Sequence, residues 1–186
     1  MPRKYPELTF TPSVKTVQQQ YGVREQGARL ESMDWEDNRL SDREIEFISK
    51  RDGFYVASVS ETGWPYVQFR GGPKGFLKIL NHTTLGFADF RGNRQYITTG
   101  NLKHDDRVAL FLMDYANRQR LKIMAYAEIS HTEDQPELLQ LLQDGDYKAT
   151  IERLVTYRIA AFDWNCPQHI TQRWTEEEFA VQIGHP

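Results

Sequence analysis

Residues 87–101 read FADFRGNRQYITTGN, and four of their side chains are rich in hydrogen-bond donors: Arg91, Asn93, Arg94 and Gln95, set around Gly92. Guanidinium groups grip dianionic oxyanions through paired, charge-assisted hydrogen bonds, so such a cluster suits a phosphate. A second wall is offered by PYVQFRGG. Alternation along a strand puts Tyr66, Gln68 and Arg70 on one face and Val67 and Phe69 on the other. The strand then opens into Gly71-Gly72, where absent side chains leave the main chain approachable. If the two segments are neighbours, Gln68, Arg70, Arg91, Asn93, Arg94 and Gln95 converge on one ligand. The plainer reading pairs these arginines with acids close by, and Asp89 and Asp105 are the candidates. There is no P-loop and no GxGxxG after a strand, so nucleotide binding by those routes is not expected.

A second constellation lies in DWNCPQHIT, where Cys166 and His169 raise a Cys/His nucleophile or a metal site. A catalytic thiolate needs a base or an electropositive setting and a defined acceptor pocket, which three residues with a proline between them do not establish. Zinc would need more cysteines or histidines, and His82, His104, His131 and His185 are scattered, so no metal is expected. The segment reads better as a rigid loop. Pro167 fixes the chain, Trp164 offers a planar face, and Gln168 and His169 can exchange hydrogen bonds. Proton transfer would fall to His169 or to water.

The bulk numbers narrow the classes. A chain of 186 residues can bury a core as one domain without staples. Net charge of -3 and a pI near 6.0 argue against a general nucleic-acid binder. One cysteine cannot form an internal disulfide, which suits a reducing cytosol. No apolar run approaches the ~20 residues of a membrane span, and MPRKYPELTF lacks the apolar core of a signal peptide. A cytoplasmic protein with no membrane and no nucleic-acid partner is expected.

The elements that must hold these residues are legible in outline. TPSVKTVQQQYGVREQGARLE spaces Val14, Val17 and Tyr21 at helical intervals, with Thr11 as N-cap before Pro12. Ser41 and Glu44 form a capping-box pattern ahead of Ile45 and Ile48, and Gly53 is placed to end that helix. From Phe54 come FYVASVS, PYVQFR, FLKIL, TLGFA, YITTGNL, RVALFLMDY and LKIMAYAEIS, short runs rich in strand formers and punctuated by turn residues. Connections this short hold no crossover helices, so the sheet should be mostly antiparallel and the run of strands barrel-like. DQPELLQLLQ reads as a helix with Pro136 in its first turn, RLVTYRIAAFDW as a last long strand, and TEEEFAVQI as a short terminal helix. The expected class is α+β. Residues 1–52 form a helical segment packing outside the barrel, and residues 164–186 form a C-terminal extension of the same domain.

The order of these segments, from the Arg70 strand through FADFRGNRQ, YITTGNLKHDDRVALFLMDY and RLKIMAYAEI, resembles the pyridoxamine 5'-phosphate oxidase-like superfamily over roughly Ile45 to Asp163. FTPSVKTVQQQYG and FDWNCPQHIT are similar to a bacterial subgroup of oxidase-related flavoproteins. The resemblance implies a split β-barrel that binds FMN in the cleft between the two subunits of a homodimer. The phosphate would be gripped by the strand-corner-strand unit. Carried over by motif, the strand arginine is Arg70, and the corner's usual Ser-Arg-Lys is matched by Asn93-Arg94-Gln95, of which only Arg94 is identical. The same comparison puts Arg120, or its neighbour Gln119, where the family has a glutamine facing the flavin ring. A cation there would stabilise the reduced, anionic flavin; otherwise Arg120 is an exposed residue at a hairpin end. The segment around Trp164 would close the flavin cleft or shape its substrate side. True pyridoxamine phosphate oxidases end in an Arg-Leu motif that ITQRWTEEEFAVQIGHP lacks, so vitamin B6 oxidation is not expected.

The expected function is an FMN-dependent oxidoreductase passing electrons or hydride between a small-molecule substrate and an acceptor. The alternatives are a flavin or haem holder without turnover, and a structural dimer with a vestigial pocket. Haem would need a positioned axial ligand, and neither His169 nor His104 has a supporting motif. The arginine-rich corner argues against the vestigial pocket. The apolar run RVALFLM is best explained if both of its faces are covered, by a second subunit in a homodimer or by a helix of the same chain.

Overall fold

Strand-forming residues separated by short turns build one antiparallel sheet in the computed structural model, which describes residues 3–164, 166–182 and 184. Asn165, Ile183 and His185, touched by the sequence reading, lie outside the described residues. The strands are β1 (Gly53–Val59), β2 (Pro65–Gly71), β3 (Lys78–Asn81), β4 (Thr84–Phe90), β5 (Arg107–Asp114), β6 (Gln119–Ser130) and β7 (Ile151–Trp164). They pair in the order β2-β1-β5-β6-β7-β4-β3, every pair antiparallel. Inward-facing Phe54, Leu110, Leu121, Ile123 and Phe162 fill the interior. Phe54 stacks on Phe76 and meets Phe87 and Tyr157 edge-on, so aromatic area and ring geometry act together at its centre.

The sheet curls until β2 and β4 face each other, yet no ladder joins them. Arg70 of β2 instead reaches Asp89 of β4, Nη1 to Oδ1, at 3.0 Å. The molecule is therefore an α+β split barrel, hydrogen-bonded around its wall and crossed at the seam by an ion pair.

Helices cover the outside and the ends. In α4 (Asp42–Ser49), the Glu44 carboxylate accepts from the Ser41 N–H at 3.0 Å, the capping box expected, and Phe47 and Ile48 are buried in the core. Before α1 (Lys4–Thr9), Arg3 binds Asp37 at 3.2 Å and Asp163 of β7 at 2.6 Å, while Asp37 accepts from the N–H groups of Lys4 and Tyr5. α2 (Pro12–Gln20) starts at Thr11, whose side chain accepts from the Val14 N–H. The helical stretch of the sequence then breaks at Gly22, at φ 69°, and resumes as α3 (Arg24–Ser32). α2 buries no side chain and α3 only Gly27, which leaves Val14, Val17, Tyr21, Val23 and Leu30 exposed. α6 (Pro136–Leu142) docks Leu142 against Ala88 and Leu154, and α7 (Glu176–Gln182) carries its acids in the first turn. Among the described residues no helix is long and apolar enough to cross a membrane.

Two local expectations are corrected. YITTGNL is not a strand: Ile97–Asn101 forms a short helix, α5. Its polar side chains win over its β-rich composition, because Thr98 donates to Gln68 at 2.8 Å and Asn101 to Ser58 at 2.9 Å. Gly53 does not end α4, which stops at Ser49. It opens β1 opposite Gly71, where any side chain would strike the Phe69 ring.

Candidate functional site

β4 ends at Phe90 and the chain stays beside β7, the Arg91 N–H donating to the Thr150 carbonyl at 2.8 Å. The Asn93 side chain then accepts from the Gln95 N–H at 3.1 Å, a local turn that asparagine makes with its own backbone. Arg94 and Tyr96 are left-handed, at φ 61° and 55°. Each such residue costs roughly 1–2 kcal/mol without glycine's freedom. Strain of this kind persists only where surroundings enforce it, commonly at ligand clamps. Here α5 does so through its bonds to Gln68 and Ser58.

The half-buried face of β2 meets this loop. Alternation holds as read: Tyr66, Gln68 and Arg70 turn inward, while Val67 and Phe69 are exposed. Gln68, Arg70, Asn93, Arg94, Glu152 and Arg153 line a pocket of about 40 Å³. Enclosed small-molecule sites run roughly 300–1,000 Å³, so this one has room for a phosphate group and not for a ring attached to it.

Its electrostatics are cationic. The buried Asp89 carboxylate binds Arg70 at 3.0 Å and Arg153 at 2.5 Å. Glu152 binds Arg91 at 3.1 Å and accepts from the Tyr96 hydroxyl at 3.2 Å. Arg94 Nε donates to that hydroxyl at 3.4 Å, and Arg153 lies over the Tyr96 ring. Four guanidiniums against two carboxylates leave an excess of two positive charges. The Tyr96 hydroxyl, helped by the nearby Glu152, holds the Arg94 guanidinium above its ordinary value. Desolvation pushes the Glu152 carboxyl up, but hydrogen bonds from Arg91 and Tyr96 outweigh it and keep it below its usual range. Arg70 Nε is buried with no acceptor among the described residues. A buried donor left so costs about 1–3 kcal/mol, and a bound oxyanion is one group that could supply the acceptor. On donor set, charge and size, the corner fits a phosphate dianion.

The other sequence candidates lie elsewhere. Arg91 and Gln95 belong to the corner loop but are exposed and do not line the pocket. Gly71 ends β2 with the Phe69 ring against it, so its bare face is already taken. Gln119 and Trp164 line a separate hollow of about 460 Å³, together with Arg43, Phe47, Arg51 and Asp114. Trp164 donates to Glu44 at 2.6 Å, and the Arg43 guanidinium covers its ring. Arg120 donates to the Cys166 carbonyl at 3.3 Å. His169 is exposed, at φ 63°. Of the acids proposed as plain partners, Asp89 holds Arg70, and Asp105 holds Arg107. Sequence reasoning did not find Tyr96, Glu152 or Arg153. The last two arrive on β7, whose register sets Arg153 opposite Asp89, and no local pattern announces that pairing.

Solved structures share the fold. A candidate pyridoxamine 5'-phosphate oxidase from Lactobacillus delbrueckii matches with a TM-score of 0.52 at 22% identity, covering 68% of this chain and 94% of that one. HupZ of Group A Streptococcus matches with a TM-score of 0.51 at 11% identity, covering 73% of this chain and 100% of that one. No curated protein matches the sequence. The family model for pyridoxamine 5'-phosphate oxidase matches residues 40–160, more than half of the chain. The chain belongs to the pyridoxamine 5'-phosphate oxidase family.

Proposed function

We propose that this protein binds FMN and works as a flavin oxidoreductase, moving electrons or hydride between a small-molecule substrate and an acceptor in the cytoplasm. One observation carries the reading: a phosphate-sized pocket with two surplus positive charges and an orphaned arginine donor, on the fold of this family. Bound FMN would supply reversible two-electron chemistry. The chain's own part is to hold the phosphate with Arg70 and Arg94, with Asn93 and Gln68 completing the shell. The pocket takes only the phosphate, so the ring must lie on the surface beside it.

That demand, with the outer sheet face, supports a homodimer. Val67 and Phe69 are 60% and 57% exposed, and an apolar hollow of about 350 Å³ runs between Tyr55, Val67, Phe111 and Met124. Exposed apolar patches of this kind mark association surfaces. A second copy would cover the face and offer its own Gln119, Arg120 and Trp164 to the ring. Light scattering on the flavin-loaded protein at micromolar concentration should give dimer mass; a monomer would overturn this part.

Arg94→Ala tests the core of the reading. Arg94 is open to water, so its loss costs less than breaking a buried charge pair would. FMN binding should still weaken roughly thirtyfold. Riboflavin, which lacks the phosphate, should bind almost as before, and Arg29→Ala on α3 should change neither. Equal losses for both ligands would remove the phosphate assignment.

A further inference from the structure

The two carboxylates of the corner are placed differently. Asp89 is 3% exposed, and its two oxygens are divided: Oδ1 takes Arg70 Nη1 at 3.0 Å, and Oδ2 takes Arg153 Nε and Nη2 at 3.0 and 2.5 Å. These arginines come from β2 and β7, strands that share no ladder. Without Asp89 they are two like charges across the seam with nothing to fix their spacing. A guanidinium has five donors, and Asp89 engages only part of each set. Among the described residues Arg70 Nε has no partner. Glu152 is 12% exposed, and it engages Arg91, Tyr96 and, at 3.4 Å, Arg153. Of these, Tyr96 and Arg153 line the pocket and are groups an incoming anion would otherwise use.

We infer that Arg153 is a further phosphate-holding residue and that the two acids act in opposite directions. Asp89 is a positioning residue that favours the anion, and Glu152 is a resident competitor that opposes it. The inference rests on the reading of the corner as a phosphate site. For Asp89 it contradicts simple charge counting, in which removing either acid adds one positive charge and tightens anion binding.

The test uses the full chain with FMN, riboflavin and inorganic phosphate as probes, titrated by flavin fluorescence and by competition. Asp89→Asn should weaken FMN by tenfold or more, about one decade of affinity, and leave riboflavin unchanged. Glu152→Gln should tighten FMN by about threefold and lower the phosphate concentration that displaces it. Arg153→Lys keeps the charge but loses the planar fork, and should weaken FMN several-fold. Asp89→Asn binding FMN as well as the parent does, or losing riboflavin in parallel, overturns the positioning role. Should Asp89→Asn fail to fold, Arg153→Lys and Glu152→Gln decide: no loss from the first, or weaker binding from the second, overturns the inference. If the parent protein binds FMN no better than riboflavin, the phosphate reading fails and takes this one with it. If Arg94→Ala discriminates the two flavins and Asp89→Asn does not, this inference alone fails.

Discussion

Two of the buried arginine–aspartate pairs, Arg51–Asp114 and Arg70–Asp89, are finished differently. Arg51 and Asp114 have side chains 12% and 6% exposed; Arg70 and Asp89 have 18% and 3%. Arg51 engages each of its three nitrogens: Nη2 on Asp114 at 2.9 Å, Nη1 on the Met113 carbonyl and Nε on the Phe47 carbonyl, both at 3.2 Å, with the Phe47 ring beneath. Asp114 in turn caps the hairpin by accepting from the Asn117 N–H at 2.9 Å. Arg70 leaves Nε without an acceptor and borders a pocket. A completed pair ties elements together. An incomplete one keeps donors in reserve. Burial does not separate these two arginines; satisfaction of their donors does.

Breaking the completed pair should have the larger effect on stability. Arg51→Met removes one partner of a buried pair and should cost about 3 kcal/mol, read as a fall in the denaturation midpoint, with FMN-to-riboflavin selectivity intact. A change in that selectivity would blur the distinction between the two pairs. Arg70→Met should cost nearer 1 kcal/mol, because Asp89 keeps its two bonds from Arg153, yet it should abolish most of the selectivity. A stability loss matching that of Arg51→Met would show Arg70 to be chiefly a seam clamp. Thr98→Val removes the 2.8 Å bond that fixes Gln68 and anchors α5, at about 1 kcal/mol. Its FMN affinity should fall slightly, and an unchanged affinity would mean that the corner keeps its shape without α5.

The smallest effect belongs to the exposed pair of Asp105 and Arg107. Hydrogen bonds from Arg107 hold the Asp105 carboxyl at about 2, against an ordinary 3.8. Its folded value is lowered, so its contribution is present above about pH 4 and vanishes as pH falls toward 2. Asp105→Asn should therefore be slightly less stable than the parent at pH 7 and equal to it near pH 2. Equal stability at both would mean that solvent screening cancels the pair.

What the sequence reveals depends on how far its causes reach along the chain. The inward Gln68 and Arg70 follow from a two-residue period, and the α4 capping box from a three-residue spacing, so both are legible. The donor-rich corner is legible for the same local reason. Its conformation is not: Gly92 looks like the pivot, yet the left-handed residues are Arg94 and Tyr96, and a side chain at Gly92 would meet open space. YITTGNL misleads because β-branched composition is a weak prior once Thr98 and Asn101 find distant partners. Arg153 and Glu152 could not be read at all, since only the β4–β7 register brings them to the corner. Gln119 and Trp164, grouped with the flavin site by resemblance, face a different hollow of the same chain.

The α2–α3 hairpin carries a consequence of its own. Its cohesion is internal: Lys15 and Arg24 bind Glu31, and Arg24 also binds Gln18, while almost nothing of it enters the barrel core. Detaching it would uncover little apolar surface, so its amides can reach an exchange-competent state at a free energy far below that of global unfolding. The protein thus divides into two thermodynamic layers, a barrel whose most protected amides exchange on global opening and an outer hairpin whose amides exchange independently.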